Sequence, residues 1–191
     1  TLNYDLYRPT YHSELFQAVF DFINKEDEDI QALEIGAGTG LATAPFLVED
    51  FQVEAVEISQ KMVDFLRNKF KDFTNFQVRN IPFEDYLFSL NSIDLLYSAT
   101  AFHWISKEKG YQKVYDILKP KGSIALFWNI PSIEDNGILY QHIQMIYDSY
   151  QNKGYRKKSN QTSDAAKNYY TSIVNDLQPY GFEPFIEKTY Q

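Results

Sequence analysis

The stretch from Gln31 to Gly40, Gln-Ala-Leu-Glu-Ile-Gly-Ala-Gly-Thr-Gly, limits the folds open to this chain more than any other. Ala32, Leu33 and Ile35 form a short apolar run, with the charge run Lys25-Glu26-Asp27-Glu28-Asp29 before it and glycines after it. Such a run reads as a buried parallel strand. Gly36, Gly38 and Gly40 stand at alternate positions, where a backbone without Cβ can turn with positive φ and let a ligand lie against the main chain. Strand, glycine turn, helix is how α/β sheets place a nucleotide site at their carboxyl edge.

The spacing separates two chemistries. A dinucleotide site asks for G-x-G-x-x-G. Here the third glycine comes one residue early, and Leu41 holds the dinucleotide position. A G-x-G-x-G turn suits a ligand whose uncharged or zwitterionic part lies along the loop. Val53-Glu54-Ala55-Val56-Glu57 reads as the next strand, and a carboxylate at its end can accept both hydroxyls of a ribose. Alone, Glu57 reads equally as a solvated strand end. Beside the glycine loop it points to a nucleoside site.

Composition removes several functions. The 191 residues fit one domain, or one domain with an insertion. A formal net charge of −8 with no long basic stripe argues against a nucleic-acid substrate held through its phosphates. The short basic cluster Lys153 to Lys158 reads as a solvated loop. With no cysteine there is no disulfide framework and no thiolate metal site, and His12, His103 and His142 lack metal-ligand spacing. No apolar run is long enough to span a bilayer and no signal peptide is visible, so the expected location is the cytoplasm. The chain opens at Thr1 without a methionine, which leaves room for residues upstream.

Periodicity places the remaining elements. Ser13 caps an expected helix with Leu15, Phe16, Val19, Phe20 and Ile23 on its apolar face. Leu41 to Glu49 reads as a helix, with Pro45 tolerated near its first turn. Ser59 caps a helix that turns Met62, Val63, Phe65, Leu66 and Phe70 inward, and Phe76 to Arg79 is a short third strand. Ile93 to Ser98 is the fourth strand. Ser106 caps a helix carrying Tyr111, Val114, Tyr115 and Leu118, which Lys119-Pro120-Lys121-Gly122 stops before a fifth strand over Ser123 to Trp128. Strands alternating with helices predict a doubly wound α/β sheet. From Pro131 the pattern changes to helical spacing at Ile138, Leu139, His142, Met145 and Ile146. A polar stretch follows from Gly154 to Asp164, then a helix that Asp164 caps, carrying Tyr170, Ile173, Val174 and Leu177 and broken by Pro179-Tyr180-Gly181, and a strand over Phe182 to Thr189.

Leu33 to Gly40 followed by Val53 to Ser59 is similar to the class I S-adenosylmethionine-dependent methyltransferases. Asp94-Leu95-Leu96-Tyr97-Ser98-Ala99-Thr100-Ala101-Phe102-His103-Trp104 resembles the fourth-strand segment of the small-molecule branch that includes trans-aconitate methyltransferase. Ile117 to Ser123 matches the turn before the fifth strand of that superfamily. The resemblance covers roughly residues 4 to 129. It implies a mostly parallel, Rossmann-like sheet of the seven-stranded type with helices on both faces. The family sheet ends in an antiparallel pair, for which one candidate strand precedes Gln191. It further implies a single methyltransferase domain over residues 1–191, with 131–180 as a helical insertion or lid over the substrate pocket.

The same resemblance implies S-adenosylmethionine as cofactor and S-adenosylhomocysteine as product. Its cofactor-binding residues fall on Glu34, Gly36, Ala37, Gly38, Gly40, Glu57, Ile58, Pro82, Phe83 and Ala99. Pro82 stands where the family usually has an Asp that reads the adenine amine, which leaves that reading to the Phe83 backbone, ring packing or Glu84. Glu34 is also readable as a structural carboxylate. Tyr7, Arg8, Tyr11, His103, Trp104 and Trp128 are candidates for the substrate wall, with core packing the alternative for each ring. His103 is the candidate catalytic residue, as a base for a hydroxyl, as a holder of a carboxylate, or as a shaper of the cavity. The expected function is in-line methyl transfer to a small carboxylate, hydroxyl or amine by a monomer or homodimer, with neither nucleic acid nor membrane as partner and no metal. A non-catalytic binding protein of the same fold remains open. An NAD- or FAD-dependent oxidoreductase is disfavoured by the glycine spacing.

Overall fold

The computed structural model describes residues 9–23, 29–130, 142, 145–146, 163–183 and 187–190. They fall into two compact units, one within 1–129 and 176–191 and the other within 130–175. In the first unit the strands are β1 (Gln31–Ile35), β2 (Gln52–Val56), β3 (Phe76–Arg79), β4 (Ile93–Ala99) and β5 (Leu118–Phe127). They form one five-stranded sheet in the order β3-β2-β1-β4-β5. Every pairing is parallel. Helix α1 (Ser13–Ile23) precedes β1, α2 (Thr43–Val48) links β1 to β2, and α3 (Gln60–Lys69) links β2 to β3. A 3-10 turn at Phe102–Trp104 and a π turn at Lys107–Tyr111 lead into α4 (Gln112–Ile117). The order reverses between β1 and β4. Right-handed crossovers therefore put α2 and α3 on one face and α4 on the other.

The central strands are apolar on both sides because both faces are covered. Ala32, Val53, Ala55, Leu95 and Tyr97 pack with Phe16 of α1, Phe46 of α2, and Val63 and Leu66 of α3. Phe46 stacks on Tyr97 at 4.0 Å between ring centroids and meets Phe16, Phe20 and Phe51 at steeper angles. Truncating a ring in such a cluster costs about 3–5 kcal/mol. The apolar face expected for α1 is the one that packs, with Phe16 buried and Leu15, Val19, Phe20 and Ile23 against the core.

Several boundaries differ from the expectation for identifiable reasons. Leu118 begins β5 rather than ending a helix, because it pairs with Ile93 before the ladder resumes at Leu95 and Ser123. The residues between loop out of register, with Lys121 at φ 69 and Gly122 placed where a Cβ would lie 2.9 Å from the Lys119 carbonyl oxygen and 3.0 Å from that of Ile93. The Ser59 and Ser106 hydroxyls make no cap bond. Instead their backbone N–H groups donate to Glu57 Oε1 at 2.8 Å and Glu84 Oε1 at 2.9 Å. The strand expected over Phe182 to Thr189 is not formed at the described positions 182–183 and 187–189, where no neighbouring strand pairs with the chain. In the second unit the helix expected after Asp164 is α5 (Ser163–Asn175). Of the expected lid over 131–180, residues 131–141, 143–144 and 147–162 lie outside the described residues, as do Tyr7 and Arg8.

Candidate functional site

The reversal of strand order brings the loops after β1 and β4 together. Gly36, Gly38 and Gly40 have φ of 72, 58 and 76, so all three use the left-handed region. They are glycine for different reasons. A Cβ on Gly36 would lie 2.5 Å from the Ala101 Cβ, so this residue lets the two loops touch. A Cβ on Gly40 would meet the Phe70 ring at 2.5 Å, which assigns that position to packing on α3. A Cβ on Gly38 would meet nothing within 4 Å. Its open side faces a cleft of about 290 Å³, solvent-open space included, lined by Tyr11, Gly36, Ala37, Gly38, Thr39, Leu41, Ala42 and Ala99. Lys69 Nζ donates to the Thr39 carbonyl at 2.8 Å and fixes the outer turn of the loop.

Glu57 follows β2 directly and is only 8% exposed, so it is not a solvated strand end. The Gly38 N–H donates to its Oε2 at 2.9 Å, and the Ser59 N–H donates to its Oε1 at 2.8 Å. The Asn80 amide donates to the Glu57 and Ile58 carbonyls at 2.9 and 3.0 Å. The carboxylate is thus tied to the tip of the glycine loop, and each oxygen keeps a lone pair for one more donor. Ile58 beside it is 75% exposed. The loop that follows β3 is held from beneath by Lys113. Its ammonium donates to the carbonyls of Phe83 at 2.6 Å, of Glu84 at 3.2 Å and of Tyr86. Burial pushes its pKa down, while Glu84 and Asp85 oppose the shift. Pro82 is exposed and Phe83 is buried. One oxygen of Glu84 is committed to the Ser106 N–H.

Glu34 lies on β1, two residues ahead of Gly36, and is 1% exposed. Thr43 Oγ1 donates to its Oε2 at 2.6 Å and the Tyr97 hydroxyl donates to the same oxygen at 3.1 Å. Oε1 has no partner among the described residues. Burial raises its pKa to about 7, against the lowering effect of the Thr43 and Tyr97 hydrogen bonds. Burial and the neighbouring Glu34 likewise push the Tyr97 phenol well up, so it stays a donor. A buried acceptor without a partner costs free energy. Next to a glycine-lined cleft it suits a ligand donor such as an ammonium, and Ala42, which lines the cleft, precedes the Thr43 that bonds it.

A second set of contacts sits at the carboxyl ends of β4 and β5. Thr100 has φ 55, an outlier for a β-branched residue. Its hydroxyl pairs with the Tyr11 hydroxyl at 2.8 Å, and the Asn129 N–H donates to it at 3.4 Å. Asn129 Nδ2 donates to the Pro9 carbonyl at 3.0 Å, and the Tyr11 ring stands edge-on to Phe127 at 5.0 Å. The segment ahead of α1 is therefore bolted across the sheet edge, with Tyr11 facing the cleft. Trp128 Nε1 donates to His103 Nδ1 at 3.3 Å, and burial lowers the His103 pKa. The Trp104 ring lies 5.0 Å from His103 and is 80% exposed.

Among the sequence candidates, Gly36, Ala37, Gly38, Ala99 and Tyr11 line one cleft, Glu57 binds its loop, and Glu34 is buried on β1. His103 and Trp128 pair on the adjoining rim. Gly40 is used for packing, and Tyr7 and Arg8 lie outside the described residues. Thr43, Tyr97, Thr100 and Asn129 escaped the sequence reading, because an isolated Thr, Tyr or Asn on a helix start, strand or turn carries no local pattern. Among the described residues no group of three His, Asp or Glu stands together as a metal site, and no helix is long and apolar enough to cross a membrane.

Residues 32–122 match the family model of a methyltransferase domain. An uncharacterised methyltransferase-like protein of Schizosaccharomyces pombe is 35% identical over 133 residues, which is 66% of this chain and 48% of the relative. A probable S-adenosylmethionine-dependent methyltransferase of Saccharomyces cerevisiae is 32% identical over 133 residues, 66% of this chain and 44% of the relative. The chain spans about half the length of the curated relatives it matches. In fold it is similar to phosphoethanolamine N-methyltransferase 2 of Haemonchus contortus, solved with S-adenosylmethionine, with a TM-score of 0.59, 19% identity, and 88% of this chain and 36% of that one covered.

Proposed function

We propose that this methyltransferase domain, of the S-adenosylmethionine-dependent class, holds S-adenosylmethionine in the cleft at the end of β1 and directs its methyl group to a small-molecule acceptor. The observation that carries the reading is the clamp between Gly38 and Glu57. An open glycine, with nothing where its Cβ would lie, is bonded at 2.9 Å to a nearly buried carboxylate at the tip of the neighbouring strand. The two groups a nucleoside thioether needs, a bare backbone for its chain and an acid for its ribose, are one unit. The family match over residues 32–122 supports the same ligand, as do the S. cerevisiae relative and the H. contortus structure.

When bound, the cofactor supplies a methyl group on a cationic sulfur, which leaves as a neutral thioether when an acceptor lone pair attacks the methyl carbon. The chain's work is then alignment and exclusion of water, and orientation alone can supply much of the rate. Glu57 would take the ribose hydroxyls on the lone pairs left by Gly38 and Ser59. Glu34 would offer Oε1 to the cofactor's ammonium. The exposed Ile58 and the Phe83 backbone would hold the adenine, with no acidic side chain at Pro82 to read its amine. Tyr11, His103 and Trp128 stand on the acceptor side, with Tyr7, Arg8 and Trp104 as further candidates for its wall. A net charge of −8 favours a small acceptor over a nucleic acid. The segment from Asp94 to Trp104 supports the small-molecule branch similar to trans-aconitate methyltransferase. The protein acts as a monomer or homodimer in the cytoplasm.

Thermal unfolding with added ligands tests the assignment. S-adenosylmethionine and S-adenosylhomocysteine raise the melting temperature in a concentration-dependent way, whereas NAD and FAD leave it unchanged. Stabilisation by NAD or FAD alone would replace this reading with the oxidoreductase one.

A further inference from the structure

Thr100 is held in a conformation that its own side chain resists. It is β-branched and sits at φ 55, in the left-handed region that favours glycine. Three ties keep it there. Its N–H donates to the Phe127 carbonyl at 2.8 Å, its Oγ1 accepts the Asn129 N–H at 3.4 Å, and the same hydroxyl pairs with that of Tyr11 at 2.8 Å. Its neighbours in sequence reach the cleft after β1. Ala99 lines it, and Ala101 stands so close to Gly36 that a Cβ there would lie 2.5 Å from its own. Tyr11 arrives from ahead of α1, 89 residues away in sequence, and lines the same cleft. Phe16 and Phe127 stand edge-on to its ring at 6.3 and 5.0 Å, and the Thr100 hydroxyl anchors its polar end.

We propose that Thr100 is a positioning residue for the cofactor: its hydroxyl holds Tyr11 in place as a wall of the cleft, and its strained turn serves that contact rather than the fold. The inference rests on the cofactor reading of the cleft and deepens it. Tyr11 is the residue that meets the ligand, and Thr100 acts through it. A wall that is already ordered need not be ordered again when the ligand binds, so the tie adds to affinity. The backbone and the hydroxyl then do separable things. The left-handed φ of a β-branched residue lowers stability, and glycine at this position would relieve it. Glycine would equally release Tyr11, because it brings no hydroxyl. Stability should therefore follow the strain at residue 100, while cofactor affinity follows its hydroxyl.

Calorimetric titration with S-adenosylhomocysteine and urea unfolding read the two quantities separately. Thr100→Val keeps the shape and the strain but loses the hydroxyl, Thr100→Gly loses both, and Thr100→Ser keeps the hydroxyl. Thr100→Val and Thr100→Gly should each bind about tenfold more weakly than wild type, the worth of one hydrogen bond. Thr100→Gly should nevertheless unfold at a higher urea concentration than Thr100→Val. Thr100→Ser should stay within about threefold of wild-type affinity. Tyr11→Phe removes the other half of the contact and should lose about the same factor as Thr100→Val, and the two changes together should lose no more than either alone. Thr100→Gly with wild-type affinity, or Thr100→Ser as weak as Thr100→Val, overturns the positioning role. So do losses that multiply in the double variant. Should Thr100→Val fail to fold, Thr100→Gly and Tyr11→Phe carry the same comparison. Wild-type binding that none of the variants weakens overturns the positioning role and leaves the cofactor site standing. A wild type that binds neither S-adenosylhomocysteine nor S-adenosylmethionine overturns the cofactor reading itself.

Discussion

Glu34 gives the sharpest prediction. Its carboxyl titrates at about 7 in the folded chain, against an ordinary 4.5, chiefly because burial disfavours the charge. Between those values the folded side chain keeps its proton while the unfolded one has released it. The folded state binds more protons there, so stability falls as pH rises through the window and levels off above it. At ~1.4 kcal/mol per pH unit, the full effect is about 3 kcal/mol, of which about 2 kcal/mol falls between pH 5 and 7.5. Glu34→Gln keeps an acceptor for Thr43 and Tyr97 but cannot ionise. Urea unfolding of both proteins without ligand should show the wild-type advantage over Glu34→Gln shrinking by about 2 kcal/mol from pH 5 to 7.5. On the proposed reading, S-adenosylhomocysteine would bring its ammonium to Oε1, favour the ionised form and flatten that dependence. A difference between the two proteins that stays constant with pH would refute the buried, partnerless carboxyl and the role built on it.

Three further outcomes follow from the geometry. Gly36→Ala and Gly38→Ala share the strain of a left-handed backbone, but only Gly36→Ala adds a clash, with the Ala101 Cβ at 2.5 Å. Gly38→Ala should therefore fold with a loss of about 1 kcal/mol and bind cofactor poorly, whereas Gly36→Ala should lose stability well beyond that in the same urea assay. Thr100→Val removes the hydroxyl that holds Tyr11 and Asn129 while keeping the β-branch. It should cost about 1–3 kcal/mol of stability and raise the KM for cofactor more than it lowers kcat. Lys113→Met leaves the Phe83, Glu84 and Tyr86 carbonyls without their shared donor. A loss of about 1–3 kcal/mol and faster hydrogen exchange at residues 82–88 are expected.

Much of this site was legible in sequence because it rests on backbone requirements. The glycine spacing, the apolar run before it and the acid at the next strand end each report a local constraint, and the chain puts them where that constraint predicts. Glu57 illustrates how far this goes. Its position was readable, but its bond to Gly38 depends on two strands lying side by side, which no local pattern encodes. Ser59 and Ser106 show the opposite failure. Both stand at cap positions, yet a carboxylate two residues earlier and one 22 residues earlier bind their N–H groups instead. Thr100 was invisible because its strained conformation is imposed by partners 89 and 29 residues away. The start of β5 was misplaced because Lys119-Pro120-Lys121-Gly122 reads as a terminator, while a register shift against β4 absorbs it.

Calorimetric titration of S-adenosylhomocysteine into the folded protein and into Glu57→Ala tests the central claim most directly. A single saturable site in the wild type is expected, weakened by about 1–3 kcal/mol when the carboxylate is removed, with circular dichroism showing that the variant keeps its fold. Equal affinity in the two proteins would take Glu57 out of the site. No binding of S-adenosylhomocysteine or S-adenosylmethionine by the wild type would contradict the whole account.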